Sequence, residues 1–363
     1  MNLSALQAAL VGSIGANDEV QEPKHFLDTG IPELNMILSG RYDGGVPYGR
    51  IMEIFGPSSS GKTFIATLLM IAAQRAGGIA MFSDHERSFM QSLAAKAGLD
   101  TTPGPWIYKR HRTWEEANTE LMKMAETVRS KGLIAPEAPI IGVFDSVAAM
   151  IPQSVFEKGI SEYSMNDTTA LARVSSTTLK AINQICADLN VIPVYLNQIR
   201  TKPGVMYGDP TSTPGGVAFE FFSTIRLALG RSIDKDKKTK EVRGQSISVL
   251  TKKNKIHRPF QKVELQLVFT PEGGAVFDLN ASLLDHLIMV GALKTSGSYV
   301  EWVDGKKYNK GPLLDAINSA GESGRKVLKD LLPKHKVDLT EHDHEEKTGD
   351  AEGDGKVATP AAA

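Results

Sequence analysis

Apolar runs and helical patterns alternate through the middle of the chain. Four short, predominantly apolar runs have the composition expected of strands buried on both faces. They are Ile51–Phe55, Gly78–Phe82, Ile140–Phe144 and Val191–Tyr195. Three segments between them repeat apolar residues at helical spacing, namely Thr63–Ala76, Trp114–Lys131 and Thr168–Leu189. This alternation predicts an α/β fold with a mostly parallel central sheet and helices on both faces.

The pattern changes after Phe219, where strand-like segments predominate. Thr224–Leu229, Gln245–Lys252 and Val263–Phe269 alternate or run apolar, which predicts three strands. The charged stretch Gly230–Gly244 between the first two predicts a hairpin loop.

The two ends of the chain differ from this core. Asn2–Val11 predicts a short amphipathic helix and Gly12–Pro23 a polar linker. A helix this short is marginal alone, so we expect it to dock on its own core or on a neighbouring subunit. From Pro271 a small α/β module is predicted, with helices near Ala281–Val290 and Gly311–Asn318. Beyond residue 336 apolar content falls, which predicts disorder. The predicted organisation is 1–26 N-terminal segment and linker, 27–270 core, 271–337 small C-terminal α/β domain and 338–363 acidic tail.

Net charge is divided unevenly along the chain. It totals −1, but the stretch 338–356 carries −6, because it contains eight carboxylates and only two lysines, Lys347 and Lys356. The rest of the chain therefore carries +5. A mildly basic body with an acidic tail is typical of a nucleic-acid binder whose tail competes with the ligand. A tail that only keeps the protein soluble fits the composition equally well. The acidic residues are Asp338, Glu341, Asp343, Glu345, Glu346, Asp350, Glu352 and Asp354.

Composition sets the broad class of protein. With 363 residues, 41% of them hydrophobic, the chain can build one large core and a small second domain. No apolar run reaches the length of a membrane span, and residues 1–18 lack the pattern of a secretory signal. Cys186 is the only cysteine, which excludes an intrachain disulfide. A reducing cytoplasm, of a bacterium or of a phage-infected host, is the expected location.

A phosphate-binding motif follows the first predicted core strand. Residues 56–63 match G-x-x-x-x-G-K-[ST] without mismatch, between the strand Ile51–Phe55 and the helix that begins near Thr63. Glycines let backbone N–H groups point at phosphate oxygens. Lys62 offers a positive charge to the β and γ phosphates, and Thr63 offers its hydroxyl to Mg²⁺. The sequence therefore predicts ATP and Mg²⁺ as ligands. The motif residues are Gly56, Pro57, Ser58, Ser59, Ser60, Gly61, Lys62 and Thr63.

Two further carboxylates complete the predicted site. The apolar run from Ile140 ends in Asp145, which in a P-loop protein is expected to hold the hydrated Mg²⁺. Hydrolysis also needs a group that orients or deprotonates water. Glu86, just past the strand Gly78–Phe82, is a candidate, with Asp84 and His85 as rivals that spacing cannot separate. A solvated charged turn is an equal alternative at this point.

Several segments resemble the RecA family of recombinases. Gly49–Thr63 (GRIMEIFGPSSSGKT) is similar to the family's nucleotide site, and Asp145–Ala149 (DSVAA) to its second metal motif. The most specific match is Asn197–Gly216 (NQIRTKPGVMYGDPTSTPGG), which is similar to the DNA-binding loop and glutamine switch. Lys253–Ile256 with Pro259 and Phe260 resembles the lysine pair that acts across the subunit interface. The resemblance spans about residues 27–332, with motif order preserved.

This resemblance implies roles in the nucleotide site. Glu86 would be the catalytic carboxylate, which settles the choice left open by spacing. Gln198 would sense the γ-phosphate and couple it to the DNA loop. Lys253 and Lys255 would reach the nucleotide of the adjacent protomer, so that the predicted catalytic set is Lys62, Glu86, Gln198, Lys253 and Lys255. The N-terminal segment would dock on the next core and serve oligomerisation.

The resemblance also implies a DNA-binding surface. A first loop would lie around Gly159–Asp167, followed by Arg173, Ser176 and Lys180 facing the backbone of DNA. Arg173 and Lys180 lie seven apart, so they share a helix face. The second loop, residues 200–216, would contribute Arg200, Pro203, Gly215 and Gly216. The glycine pair exposes N–H donors without obstruction by side chains.

Some positions depart from the family pattern. Pro203 stands where a branched aliphatic residue is usual, and Pro214 and Val217 replace polar residues near the glycine pair. Leu93 stands where a tyrosine commonly lies near the adenine, and the N-terminal segment is short. These departures suggest a divergent relative of the phage-encoded UvsX kind.

The expected function is ATP-dependent homologous recombination. The implied partners are single-stranded DNA, homologous duplex DNA and further copies of the chain in a helical filament, with single-stranded-DNA-binding and loader proteins as additional candidates. Two alternatives share parts of the site. A ring-forming helicase of related fold would lack the loop Asn197–Gly216, and a recombination mediator would bind ATP but barely hydrolyse it.

Overall fold

Helices and strands alternate along the chain in a computed structural model. The model describes residues 22–334 apart from 165, 166, 168, 202–210, 237, 238, 271 and 272, together with residues 4, 6, 11 and 13. The strands are β1 (Phe26–Leu27), β2 (Val46–Pro47), β3 (Met52–Gly56), β4 (Ile79–Asp84), β5 (Trp106–Lys109), β6 (Ile140–Asp145), β7 (Val191–Gln198), β8 (Arg200–Thr201), β9 (Thr211–Ser212), β10 (Ile225–Lys235), β11 (Val242–Asn254), β12 (Lys262–Phe269), β13 (Ala275–Phe277), β14 (Thr295–Ser296), β15 (Tyr299–Glu301) and β16 (Lys307–Asn309). The helices are α1 (Pro32–Ser39), α2 (Lys62–Arg75), α3 (Gln91–Lys96), α4 (Trp114–Ser130), α5 (Gln153–Phe156), α6 (Ala170–Leu189), α7 (Ala218–Phe222), α8 (Leu279–Met289), α9 (Lys310–Ser319) and α10 (Glu322–Asp330), with short 3₁₀ turns at Val147–Ala149 and Ile160–Glu162.

A nine-stranded sheet forms the centre of the fold. Its order is β13-β12-β11-β10-β3-β7-β6-β4-β5. The strands from β10 to β5 are parallel, whereas β11, β12 and β13 continue the sheet antiparallel. The expected α/β fold with a mostly parallel central sheet is therefore confirmed. Strand β3 is central and leads directly into the phosphate-binding motif.

Two apolar layers cover the two faces of this sheet. One layer joins α1 and α2 to the sheet, with Ile65 and Leu69 of α2 among its buried residues. The other joins α4 and α6, with Trp114 and Leu179 among its members. Strands β3, β4 and β6 are buried along their whole length, which explains why their sequences are nearly continuous in apolar residues.

A small α/β module follows the large sheet. Helices α8, α9 and α10 pack on the three-stranded sheet β14-β15-β16 around a separate apolar cluster that includes Leu284, Val300 and Leu328. The large sheet extends to Phe277 in β13, past the predicted boundary at residue 270. The described residues up to Leu332 belong to one compact unit, and the predicted domain boundaries stay predictions.

The segment Gly230–Gly244 differs most from its prediction. The charge pattern predicts a hairpin loop over the whole stretch, but β10 continues to Lys235 and β11 begins at Val242, so the loop between the two strands is shorter. Backbone pairing from Gly230↔Ser248 to Asp234↔Gly244 holds the two strands together. A ladder of backbone hydrogen bonds does not require apolar side chains, so charge alone was a poor guide to the length of this loop.

Both chain ends lie mostly outside the described residues. Of the predicted N-terminal helix, Ser4, Leu6 and Val11 are described, and all three are helical and exposed, as is Ser13 beyond it. The predicted acidic tail, residues 338–363, lies outside the described part of the chain. Among described residues, no helix has the length and apolar character needed to cross a membrane.

Candidate nucleotide site and DNA-binding surface

The phosphate-binding motif forms a tight turn between β3 and α2. Gly61 adopts a left-handed conformation with φ 88° and directly precedes α2, which begins at Lys62. A Cβ atom on Gly61 would lie 2.3 Å from Cδ1 of Ile247, and one on Gly56 would lie 2.6 Å from the carbonyl oxygen of Leu229. Both positions therefore require glycine, and the turn directs the start of α2 toward the motif.

The side chains of Lys62 and Ser60 place hydrogen-bond donors inside this turn. The Lys62 ammonium donates to the carbonyl oxygens of Gly56 and Pro57 at 3.1 and 2.8 Å. Burial lowers the Lys62 pKa, while the charges of Asp145 and Glu86 oppose that shift. The buried Ser60 hydroxyl has no hydrogen-bond partner within the described part of the chain. A buried donor of this kind fits a site for phosphate oxygens.

Thr63 and Asp145 meet at the other side of the turn. The Thr63 hydroxyl donates to Asp145 Oδ2 at 2.8 Å. Burial raises the pKa of Asp145 to about 6, and the charges of Glu86 and Asp84 add to the effect. Crowded carboxylates next to a hydroxyl suit a hard divalent cation. Among the described residues no group of three or more His, Cys, Asp or Glu side chains forms a metal cage. Mg²⁺ beside a nucleotide needs none, because phosphate and water complete its shell.

The three candidates at the end of strand β4, Asp84, His85 and Glu86, have different contacts in the structure. Glu86 Oε1 accepts hydrogen bonds from the Ser146 hydroxyl and, at 3.2 Å, from Gln198 Nε2. Asp84 is buried and accepts from the Phe89 N–H and the Tyr108 hydroxyl, at 3.1 and 2.9 Å.

His85 is directed away from the motif. Its Nε2 lies 2.9 Å from the Ser83 hydroxyl and its ring stacks on His111. Burial, with the nearby His111 charge, lowers the pKa of His85 to about 4. Of the three candidates, only Glu86 therefore faces the phosphate-binding turn.

A cavity of about 410 Å³ joins these groups. Most predicted nucleotide-site residues line it, together with Glu86 and Gln198, but Gly56 and Pro57 do not. Five of its lining residues are not among the predicted ones: Phe64, which follows the motif in α2, and Arg231, Gln245, Leu267 and Phe269, which lie on β10, β11 and β12. No local motif marks the four strand residues, because the order of strands in the sheet brings them to the cavity. The cavity is lined by Ser58, Ser59, Ser60, Gly61, Lys62, Thr63, Phe64, Glu86, Asp145, Gln198, Arg231, Gln245, Leu267 and Phe269.

A smaller apolar cavity adjoins the start of α2. It measures about 210 Å³ and shares Thr63 and Phe64 with the larger one. Phe89, Met90 and Leu93 form much of its wall. The structure thus places Leu93 next to the nucleotide site, in surroundings that offer contact area but few polar groups.

Lys253 and Lys255 lie apart from this chain's own cavity. The Lys253 ammonium donates to the carbonyl oxygens of Glu220 and, at 3.0 Å, Phe221, and Lys255 lies 3.5 Å from the latter oxygen. Burial, followed by the charges of Lys255 and Arg226, lowers the Lys253 pKa to about 8. Phe221 is 67% exposed, so the lysine pair lies beside an uncovered aromatic ring.

Three of the predicted DNA-binding residues lie on helix α6, and the glycine pair packs against this helix. Arg173, Ser176 and Lys180 are all exposed along it. Gly215 and Gly216 have φ angles of 89° and 68°. A Cβ on Gly216 would approach Ala172 Cβ to 3.0 Å, so the glycine pair packs closely against the helix that carries the basic residues.

The loops around this surface are described in part. Arg200 is exposed on β8, which pairs with β9 through Arg200↔Ser212. Pro203 lies outside the described residues. In the predicted first loop, Asp167 accepts from Lys158 Nζ at 2.5 Å and from the Ser164 N–H at 2.7 Å.

Comparison with known proteins identifies the relatives of this chain. The family model described as the RecA N-terminal domain matches residues 12–273. A protein named RecA from Chloroherpeton thalassium is 35% identical over 72% of this chain and 68% of its own length. RecA proteins from Bacteroides thetaiotaomicron and Mycobacteroides abscessus are 34% and 32% identical, over 84% and 86% of this chain and 88% and 86% of their own lengths. The expected phage-type lineage finds no support in these bacterial relatives.

Proposed function

The chain belongs to the RecA family, and on that premise we propose how its own residues perform the family's reaction. Proteins of this family are DNA-dependent P-loop ATPases that form helical filaments on single-stranded DNA and catalyse homologous pairing and strand exchange. This chain is a recombination and repair protein of that kind, and it uses ATP with Mg²⁺.

The convergence of Lys62, Thr63, Asp145, Glu86 and Gln198 on one cavity carries this proposal. Lys62 and the N–H groups of the turn hold the phosphates. Thr63 and Asp145 hold Mg²⁺, which when bound neutralises charge that develops on the phosphates. Glu86 orients the attacking water and takes up its proton.

Gln198 connects this chemistry to DNA. Its amide reaches Glu86, and its backbone continues into Arg200 and the loop that returns at Gly215. A change at the γ-phosphate therefore alters the same segment that faces α6, where Arg173 and Lys180 contact the backbone of DNA. Contacts of this kind bind without strong sequence preference, as strand exchange requires.

Lys253 and Lys255 act on the neighbouring subunit. They do not line their own chain's cavity, and they lie beside the exposed Phe221. Placed across an interface, they would add positive charge to the next protomer's nucleotide, so that ATP favours the filament and hydrolysis loosens it.

The decisive experiment measures ATP hydrolysis with and without circular single-stranded DNA, followed by negative-stain microscopy of the same mixtures. Strong stimulation together with helical filaments is the expected result. Closed rings with directional unwinding of a forked duplex would instead favour a helicase. ATP binding with negligible turnover on DNA would favour a mediator.

A further inference from the structure

A buried carboxylate in strand β3 links the two strands beside it. Glu53 is fully buried, and its Oε1 accepts from Asn197 Nδ2 on β7 at 3.0 Å. Its Oε2 accepts from Arg226 Nε on β10 at 2.6 Å. Strand β3 ends at Gly56 in the phosphate-binding turn, so this three-residue link crosses the sheet directly beneath the nucleotide site.

On the β7 side, the link reaches both ends of the DNA loop. Asn197 Oδ1 accepts from the Gln198 N–H at 3.0 Å, and Asn197 Nδ2 also donates to the Pro214 carbonyl oxygen at 2.9 Å. One amide therefore fixes the residue before the loop and the residue just ahead of the glycine pair. Gln198 in turn reaches Glu86.

On the β10 side, the link reaches the region of the interface lysines. The Arg226 guanidinium lies 4.8 Å from the centre of the Phe55 ring and 3.7 Å from Glu220 Oε1. The Glu220 carbonyl oxygen accepts from the Lys253 ammonium. A shift of α7 would therefore change the contacts of Arg226 and of Lys253 at the same time.

We propose that Glu53 and Arg226 are positioning residues that couple Gln198 and the DNA loop to the interface lysines, an inference that rests on the proposed function of those groups. Burying a charged pair costs free energy that well-packed apolar residues would not. Here the pair stands between the two sets of residues whose arrangement has to change together, and it reaches each set through one intermediate residue, Asn197 on one side and Glu220 on the other. Coupling needs such a contiguous element whose position both sites influence.

The test replaces the pair without leaving a lone buried charge. In Glu53→Gln/Arg226→Met, glutamine keeps an acceptor for Asn197 and methionine keeps volume, so the variant should fold. We expect ATP hydrolysis without DNA to keep its KM, while stimulation by single-stranded DNA falls about tenfold. Full stimulation in a folded variant would overturn the inference.

A neighbouring buried pair supplies the matched control. Tyr195 is the register partner of Glu53 on β7, and its hydroxyl donates to Asn118 Oδ1 at 2.5 Å. The hydrogen bond of this pair reaches neither site, and phenylalanine keeps the ring that packs on Phe219 of α7 at 5.2 Å between centroids, so Tyr195→Phe/Asn118→Leu should retain normal stimulation. An equal loss in this control would show that any buried polar pair has the effect and would also overturn the inference.

Two further measurements keep the outcome clear. If the double variant does not fold, Asn197→Ser cuts the same link on one side and is judged by the same ratio of stimulated to basal turnover. The wild-type protein is measured in parallel. Absence of stimulation there would refute the proposed function, whereas stimulation that is equal in wild type and variants refutes only the role of Glu53 and Arg226.

Discussion

The Thr63 hydroxyl and the Asp145 carboxylate lie 2.8 Å apart, although 82 residues separate them in the chain. Thr63 lies in the first turn of α2 and Asp145 ends β6, and these elements pack because β3, β7, β6 and β4 are neighbours in one parallel sheet. The carboxyl ends of parallel strands share an edge, where open α/β sheets bind their ligands. The chemistry of the protein is assembled at that edge.

Removing the Lys62 charge tests the phosphate site. Lys62→Ala should lower DNA-stimulated ATP hydrolysis by about 100-fold or more, because the developing phosphate charge loses its nearest cation. Phosphate release is the measurement, with the exposed Lys131 changed to alanine as control. Normal ATP hydrolysis by Lys62→Ala would contradict the assignment of the nucleotide site.

The contacts of Glu86 distinguish it from its neighbours Asp84 and His85. Glu86→Gln should lower turnover by about 100-fold while ATP-dependent binding of single-stranded DNA is retained, because only the group that handles water has changed. Asp84→Asn should instead lower the melting temperature, because Asp84 accepts bonds from Phe89 and Tyr108. Wild-type turnover in Glu86→Gln would contradict the assignment.

The apolar cavity beside α2 predicts how the nucleotide base is held. If the base rests against Phe64 and Leu93, Leu93→Tyr should add a stacking surface and lower the KM for ATP by about three- to tenfold. The exposed Leu133 serves as control when changed to tyrosine. An unchanged KM in Leu93→Tyr would place the base elsewhere.

Weak base selectivity is a second consequence of the same apolar wall. Apolar contacts discriminate by about 10- to 200-fold, far less than a site built on hydrogen bonds to the base. Comparison of kcat/KM for ATP and GTP measures this. Discrimination well beyond that range would require a polar contact that the cavity wall of Phe89, Met90 and Leu93 does not supply.

Glu33 predicts a pH dependence of stability outside the nucleotide site. It is fully buried in α1, and neither carboxylate oxygen has a hydrogen-bond partner on another of the described residues. Burial raises its pKa from 4.5 to about 7, against a smaller opposing effect of Arg325. The folded state therefore holds the proton more tightly than the unfolded state. Its stabilising effect is complete below about pH 4.5 and is lost as the pH rises through about 7.

Glu33→Gln should remove this dependence. Between about pH 5 and about pH 8 the wild-type free energy of unfolding should fall by up to about 3 kcal/mol relative to the variant. Chemical denaturation across that range is the measurement. His286, whose pKa burial lowers to about 4, is common to both proteins and cancels in the comparison. Parallel pH curves would show that Glu33 does not titrate there.

The acidic tail predicts competition with duplex DNA. Deletion after Val337 removes a net charge of −6 and should raise duplex affinity by about tenfold at low salt, with the difference shrinking as salt increases. Fluorescence anisotropy at two salt concentrations measures both effects. Equal affinity of both forms at low salt would return the tail to a solubilising role.

The sequence alone determined the features that depend on local chemistry. The phosphate-binding turn is set by where glycine is needed, as the close approaches at Gly56 and Gly61 show. The buried parallel strands are set by continuous apolar runs, and β3, β4, β6 and β7 appear close to where those runs predict them. Regular backbone spacing makes such signals visible within a few residues.

The tertiary structure decided which groups meet. Asp84, His85 and Glu86 are adjacent in sequence, yet only Glu86 contacts Gln198, because Asp84 ends β4 and the chain turns after it, so that the three side chains point in different directions. Glu53 and Arg226 pair across 173 positions of the chain. Contacts of this kind follow from the order and register of strands. The apolar pattern of a strand shows which of its faces is buried, but the packing of the whole sheet decides which strand lies beside it, so no single segment of the sequence shows these contacts.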